Sequence, residues 1–212
     1  MITTRQALIS IWTKPRATIS QLCEAPASLP IFALVISGGI LRVLDKAVVR
    51  SLGDTMSLPA ILGVALVVGL IFSLPAYYLG SWAVAKSGKW LGGNGNTSRV
   101  RVAWAWSNAI PVTLSLLYIP ELLILGEGLF TSAPIENPSL RYTMIGFGVV
   151  EFIGGIWALV VLLKALGEAQ GFSAWKALGN LFVAGIVFVL PIIVTIAVIA
   201  IVAIRTASIP TA

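Results

Sequence analysis

Residues 86–111 read KSGKWLGGNGNTSRVRVAWAWSNAIP, from Lys86 to Pro111. The stretch holds the densest basic cluster of the chain, Lys86, Lys89, Arg99 and Arg101, around a loop of glycines and asparagines. Such a composition interrupts any regular element. The apolar tract on either side is long enough for a membrane span, which needs about 20 residues. The expected fold is therefore a set of membrane-crossing helices joined by short polar connections.

The whole chain has the same character. Of 212 residues, 58% are apolar and only 10% charged, with a mean hydropathy of +0.99, whereas soluble domains carry about 25% charged residues. The fold class read from this is all-α: a polytopic membrane bundle of about five transmembrane helices, preceded by short interfacial amphipathic helices. The net charge is +6, but the basic residues are scattered singly around apolar tracts, which points to lipid headgroups and away from nucleic acid. Cys23 is the single cysteine, so an intrachain disulfide and a thiolate-clustered metal site are excluded. The chain has no histidine, which removes Ser/His and Cys/His dyads, imidazole-ligated zinc and His-ligated haem. No catalytic residue, metal or cofactor is expected, and the chain reads as a non-enzyme.

Working outward from the central loop, the expected spans are 29–49, 58–84, 102–119, 140–163 and 177–204, with a short external tail at 207–212. In the second, Ala65, Gly69 and Ser73 recur every four residues and Ala76 and Gly80 continue the stripe, which lets a neighbouring helix approach closely. Pro120, Glu121, Gly126 and Glu127 break the pattern after the third, so residues 121–130 are read as an interfacial segment plus loop. The Gly92–Thr97 loop lacks the spacing and preceding strand of a phosphate-binding loop and is read as a flexible turn.

Residues 1–27 lack a signal-peptide core. Thr4 is placed to cap a short helix with Ala7, Leu8, Ile11 and Trp12 at helical spacing, and Pro15 to open a second with Ile19, Leu22 and Cys23 on one face. Both are expected on the membrane surface, with a flexible basic tail as the alternative. Arg5, Lys14 and Arg16 would face headgroups with Trp12 at the interface; Lys86, Lys89, Arg99 and Arg101 would make the same contact from the central loop. With five spans and a cytoplasmic N-terminus, nine basic residues lie inside, from Arg5 to Lys176. Lys46, Arg50, Arg141 and Arg205 lie outside, with Arg42 near that edge. The positive-inside rule thus favours a multi-pass cell-membrane protein with its C-terminus external or periplasmic.

Three segments together resemble the bacterial branch of the Yip1 domain family. Ile11-Trp12-Thr13-Lys14-Pro15-Arg16 is similar to that family's short helix followed by Pro and a basic residue. Leu91-Gly92-Gly93-Asn94-Gly95, continuing through Ser107 and Pro111, resembles its Gly-Gly loop and polar, Pro-containing span. Trp157, Leu162, Lys164, Ala165, Leu166, Glu168, Ala169, Gly171, Ser173, Trp175, Lys176 and Ala177 resemble its segment linking the last two helices. The Asp-Leu-Tyr-Gly-Pro signature of the eukaryotic members is absent, so their vesicle-trafficking and Rab GTPase partnership is not carried over. The resemblance implies a five-span fold with a cytoplasmic N-terminus and no common reaction.

Four polar residues inside the expected spans are candidate site residues: Arg42, Asp45, Asn108 and Glu151. An ionisable group near mid-bilayer is costly unless paired, protonated or hydrated. Gly148, Glu151, Gly155 and Ala158 share a helical face that is expected to pack on another helix. At about 1.5 Å per residue, Arg42 lies roughly 10 Å and Glu151 roughly 15 Å from the outer surface, so an Arg42–Glu151 ion pair is open; so is a local Arg42–Asp45 pair. The function expected is that of a membrane-organising or interaction module with a basic cytoplasmic face, associating with membrane lipids and with a protein partner or further copies of itself. The alternative is a small transporter, ion path or lipid-translocating protein using Arg42, Glu151 and Asn108.

Overall fold

The computed structural model describes residues 2–207, so the expected tail lies, from residue 208 onward, outside the described residues. Every regular element among them is helical. Helix α1 (Thr4–Ser10) is capped by Thr3, one residue earlier than expected, because Thr3 and Gln6 form a reciprocal capping box. Helix α2 (Pro15–Glu24) opens on Pro15, whose missing N–H is not needed in a first turn. The apolar faces of both turn onto the protein itself. Ala7, Ile11 and Ile19 are fully buried in one cluster with Val100, Ala103, Leu166 and Ala169, so this segment is a packed part of the bundle and not a loose tail.

Helix α3 (Ser28–Val49) and helix α4 (Leu58–Trp90) form the most extensive helix pair. A Cβ at Gly69 would lie 2.6 Å from Ile40 Cα, so the two backbones touch where only glycine fits. The buried stripe of α4 runs Ala65, Gly69, Ser73, Tyr77 and Ser81. The expected continuation through Ala76 and Gly80 is a separate face from the one α3 packs on, since that partner follows the strict four-residue ridge. Both residues border an apolar groove with Trp82 and Phe188, and Gly80 also meets the Trp104 ring, 3.3 Å from where a Cβ would stand.

The third span is a broken helix: α5 (Thr97–Ser107), α6 (Ala109–Leu114), a 3-10 turn, α7 (Tyr118–Leu125) and a second 3-10 turn to Phe130. Pro111 removes the donor that would bond the Ser107 carbonyl, and its ring crowds that group. The chain turns at Asn108, whose N–H reaches back only three residues to Ala105 O. Residues 121–130, expected as an interfacial segment and loop, are helical. Pro120 falls in the first turn of α7, where it starts a helix instead of ending one, and Leu129 and Phe130 are buried against Ala47 and Ile61.

Helix α8 (Pro138–Gln170) is capped by Gly171 in the left-handed region at φ +77°, so the expected connection from Lys164 to Lys176 shrinks to three residues. Helix α9 (Ala174–Ala184) passes through a π turn at Gly185–Val189 into α10 (Leu190–Ala207). Four segments are long and apolar enough to cross a membrane: Leu58–Trp90, Thr97–Phe130, Pro138–Gln170 and Ala174–Ile199. The remaining expected span, the first at 29–49, coincides with α3, a 22-residue helix carrying Arg42, Asp45 and Lys46 near its end.

Candidate functional site

At the end of the bundle where α1 and α2 dock, the central loop is a hydrogen-bonded clamp, against the expectation of a flexible turn. Helix α4 runs on through Lys86 and Lys89 to Trp90, leaving only residues 91–96 as loop. Asn94 N–H donates to Gln170 O at 3.0 Å, the Asn94 amide donates to Ala169 O at 3.0 Å, and Gly95 N–H donates to Gln170 Oε1 at 3.1 Å. Gln170 Nε2 and Asn180 Nδ2 donate to the same carbonyl, Val84 O, at 2.9 and 3.0 Å, and the Ser87 hydroxyl donates to Asn180 Oδ1. Gly88 lets this happen, since a Cβ there would overlap the Gln170 amide. Sequence reading missed Gln170 and Asn180; an amide at the end of apolar α8 and another inside apolar α9, each needing partners once buried, were the available signal.

This clamp fixes the surroundings of the expected headgroup residues. Arg5, Lys14, Lys86 and Lys89 are exposed, as is Lys176, and Trp90 and Trp175 stand out at 62% and 81% exposure. Trp12 is half-buried on the core cluster. Arg16 donates to Phe172 O at 3.2 Å and pairs with Glu168 at 3.8 Å, which ties α2 to the end of α8. Arg101 lies over the Tyr78 ring at 4.6 Å, and Tyr77 donates to Arg101 O at 3.0 Å. The Nε atoms of Arg99 and Arg101 are buried without a hydrogen-bond partner among the described residues. Cys23 is half-buried beside Arg99 O; burial pushes its thiol pKa up, with the Arg99 charge opposing.

Towards the other end lie the four polar candidates. Arg42 donates to Asn108 Oδ1 at 3.4 Å, and Asn108 donates to Trp104 O at 3.3 Å, so the guanidinium meets the break in the third span. Asp45 accepts from the Tyr118 hydroxyl at 2.7 Å. Neither expected ion pair forms: among the described residues Arg42 has no carboxylate and Glu151 no cation within ion-pair distance.

The glycine face of α8 is likewise not packed. A Cβ at Gly148 or Gly155 would meet nothing within 4 Å, whereas one at Gly154 would run into Leu114. Helix α8 therefore packs one residue round from the expected face, and Gly148, Glu151, Gly155 and Ala158 line an open cavity of about 420 Å³ shared with Asp45, Tyr118 and Val49. Glu121, read as part of a loop, is only 3% exposed inside α7. Beyond the span ends, Asp54 accepts from Ser132 N–H at 3.0 Å, and the Ser132 hydroxyl together with that N–H holds its carboxyl below the usual value.

The site thus consists of a clamped basic end and a cavity edged by carboxylates. Among the described residues no group of carboxylates or thiols converges to hold a metal ion. No curated protein and no solved structure matches the chain. The model of the family described as the Yip1 domain matches residues 9–204, a range that takes in α2, the clamp, the broken span and nearly all of α10, and the chain therefore belongs to the Yip1 domain family.

Proposed function

We propose that the chain is a non-enzymatic membrane-organising or interaction module of a bacterial inner membrane, with its basic end at the cytoplasmic face. The observation that carries this reading is the exposed set Lys14, Lys86, Lys89 and Lys176, with Trp90 and Trp175, on a platform held by Gln170, Asn180 and Arg16. Tryptophans favour the headgroup level, and basic residues beside them attract anionic lipid at about 1 kcal/mol each. A rigid end of this kind presents a fixed charge pattern to headgroups or to a partner seated on them. The test is phospholipid retention: the full chain is extracted in mild detergent from vesicles of phosphatidylglycerol and phosphatidylethanolamine, and bound lipid is counted by mass. Lys86→Glu with Lys89→Glu is expected to lower retained phosphatidylglycerol by about fivefold or more; unchanged retention overturns the reading.

A second reading, a small transporter, ion path or lipid-translocating protein, is favoured by the break at Asn108 bonded to Arg42, since interrupted helices place unsatisfied backbone groups at membrane depth. Full flux in vesicles carrying Glu151→Gln would exclude a path through that carboxylate.

A further inference from the structure

The cavity between α3, α6 and α8 has walls of two kinds. Val49 and Phe152 give it an apolar side, and Asp45, Glu151 and the Tyr118 hydroxyl give it a polar one. Phe152 and Val49 are exposed at 71% and 83%, as are Val149 and Ile153 around Glu151, so the cavity opens sideways to the lipid region. A carboxylate in that position is costly unless paired, protonated or hydrated, and a cationic partner is the one of these that keeps it charged beside acyl chains. The protein does not supply the cation: Arg42 is directed to Asn108, and among the described residues Glu151 has no ion-pair or hydrogen-bond partner. A metal ion is a poor fit, because among the described residues no group of three or more carboxylates or thiols gathers there to ligate one. Space is available, since the glycines at 148 and 155 leave it empty of side chains and about 420 Å³ falls in the range of ligand pockets.

We infer that this cavity binds a membrane lipid with a primary-ammonium headgroup: the ammonium donates to Asp45 and Glu151, and an acyl chain lies along Val49 and Phe152. Charge complementarity selects the headgroup, and the lateral opening selects an amphiphile over a free amine. Arg50, exposed, directly follows the cavity's last α3 residue and stands near where the lipid phosphate leaves the mouth. The inference rests on neither functional reading above, as it concerns binding at equilibrium at the end of α3 away from the basic platform.

The experiment uses the full chain reconstituted in equimolar phosphatidylethanolamine and phosphatidylglycerol, extracted mildly and analysed for bound lipid by mass. Two variants are compared with wild type: Glu151→Gln combined with Asp45→Asn, which removes charge, and Gly155→Leu, which extends a side chain from a position whose Cβ would meet nothing within 4 Å. Both are expected to lower retained phosphatidylethanolamine by about tenfold, the scale of one lost charge-assisted hydrogen bond. An unchanged thermal transition, read by a maleimide dye on the half-buried Cys23, shows that the variants fold. Equal phosphatidylethanolamine retention in wild type and variants overturns the inference, and so does a wild-type dimer abolished by Gly155→Leu, which assigns the cavity to a second copy.

Discussion

Gly88 and Gly155 show how differently two glycines in apolar helices can act. At Gly88 the missing Cβ admits the Gln170 amide, which reaches through to Val84 O; at Gly155 nothing approaches. Gly88→Ala is therefore expected to destabilise the fold by about 1–3 kcal/mol through overpacking and a displaced buried amide. Gly155→Ala should be neutral or stabilising by up to about 1 kcal/mol, the ordinary helix gain over glycine. Cys23 provides the readout: half-buried, with its thiol pKa raised by burial, it reacts slowly with a maleimide dye until the fold opens. Thermal scans with such a dye should show an earlier transition for Gly88→Ala and not for Gly155→Ala. Sequence spacing alone could not separate the two, because a helical glycine looks the same whether a neighbour fills its notch or leaves it open. The same ambiguity misplaced the packed face of α8 by one residue, from Gly155 to Gly154.

Among the elements, α2 departs most from its sequence reading. Its amphipathic pattern was legible, but a pattern does not say whether the apolar face meets lipid or protein. The deciding residues are remote in sequence: Arg16 bonds Phe172 O across the whole domain and pairs with Glu168, and Ile19 is fully buried. Ile19→Ala should thus cost about 2–5 kcal/mol, as in a protein core, where a helix lying loosely on lipid would lose far less; the Cys23 dye scan measures it. The third span misled for a related reason. Pro120 was read as a terminator, and it is one within a helix, but in the first turn of α7 it is permissive. Which of the two holds depends on where the preceding break at Pro111 puts the helix start.

For the whole molecule, the membrane class and the order of helices were legible from hydropathy and length, because a bilayer demands long apolar helices and leaves few alternatives. The number of spans was less so. Helix α3 carries three charged residues near its end, and its most extensive contact is with α4, so its hydropathy does not report its burial. If all five helices cross, the basic platform and the Asp54–Ser132 contact lie on opposite sides. In a Cys23→Ala background, intact bacterial cells treated with a membrane-impermeant maleimide should label Ser132→Cys and leave Lys89→Cys unlabelled. Labelling of Lys89→Cys alone would place the platform outside. Of the candidate cavity, Asp45, Glu151 and the glycine face of α8 were legible as separate features, but Tyr118 and the open space between them were not, since these residues come together only through the packing of three separate segments.

The docking of α1 and α2 also has a consequence for biosynthesis. These helices leave the ribosome well before much of their docking site: Leu166, Ala169 and Phe172 are made about 150 codons later. At about 5–20 residues per second the wait is of the order of ten to thirty seconds. During it, the sticky faces of Ile11 and Ile19 must be shielded by headgroups or by the insertion machinery. A chain stalled before α8 has only the α5 half of that site, Val100 and Ala103, so truncated products keep part of an apolar face exposed to quality control from the moment synthesis stops.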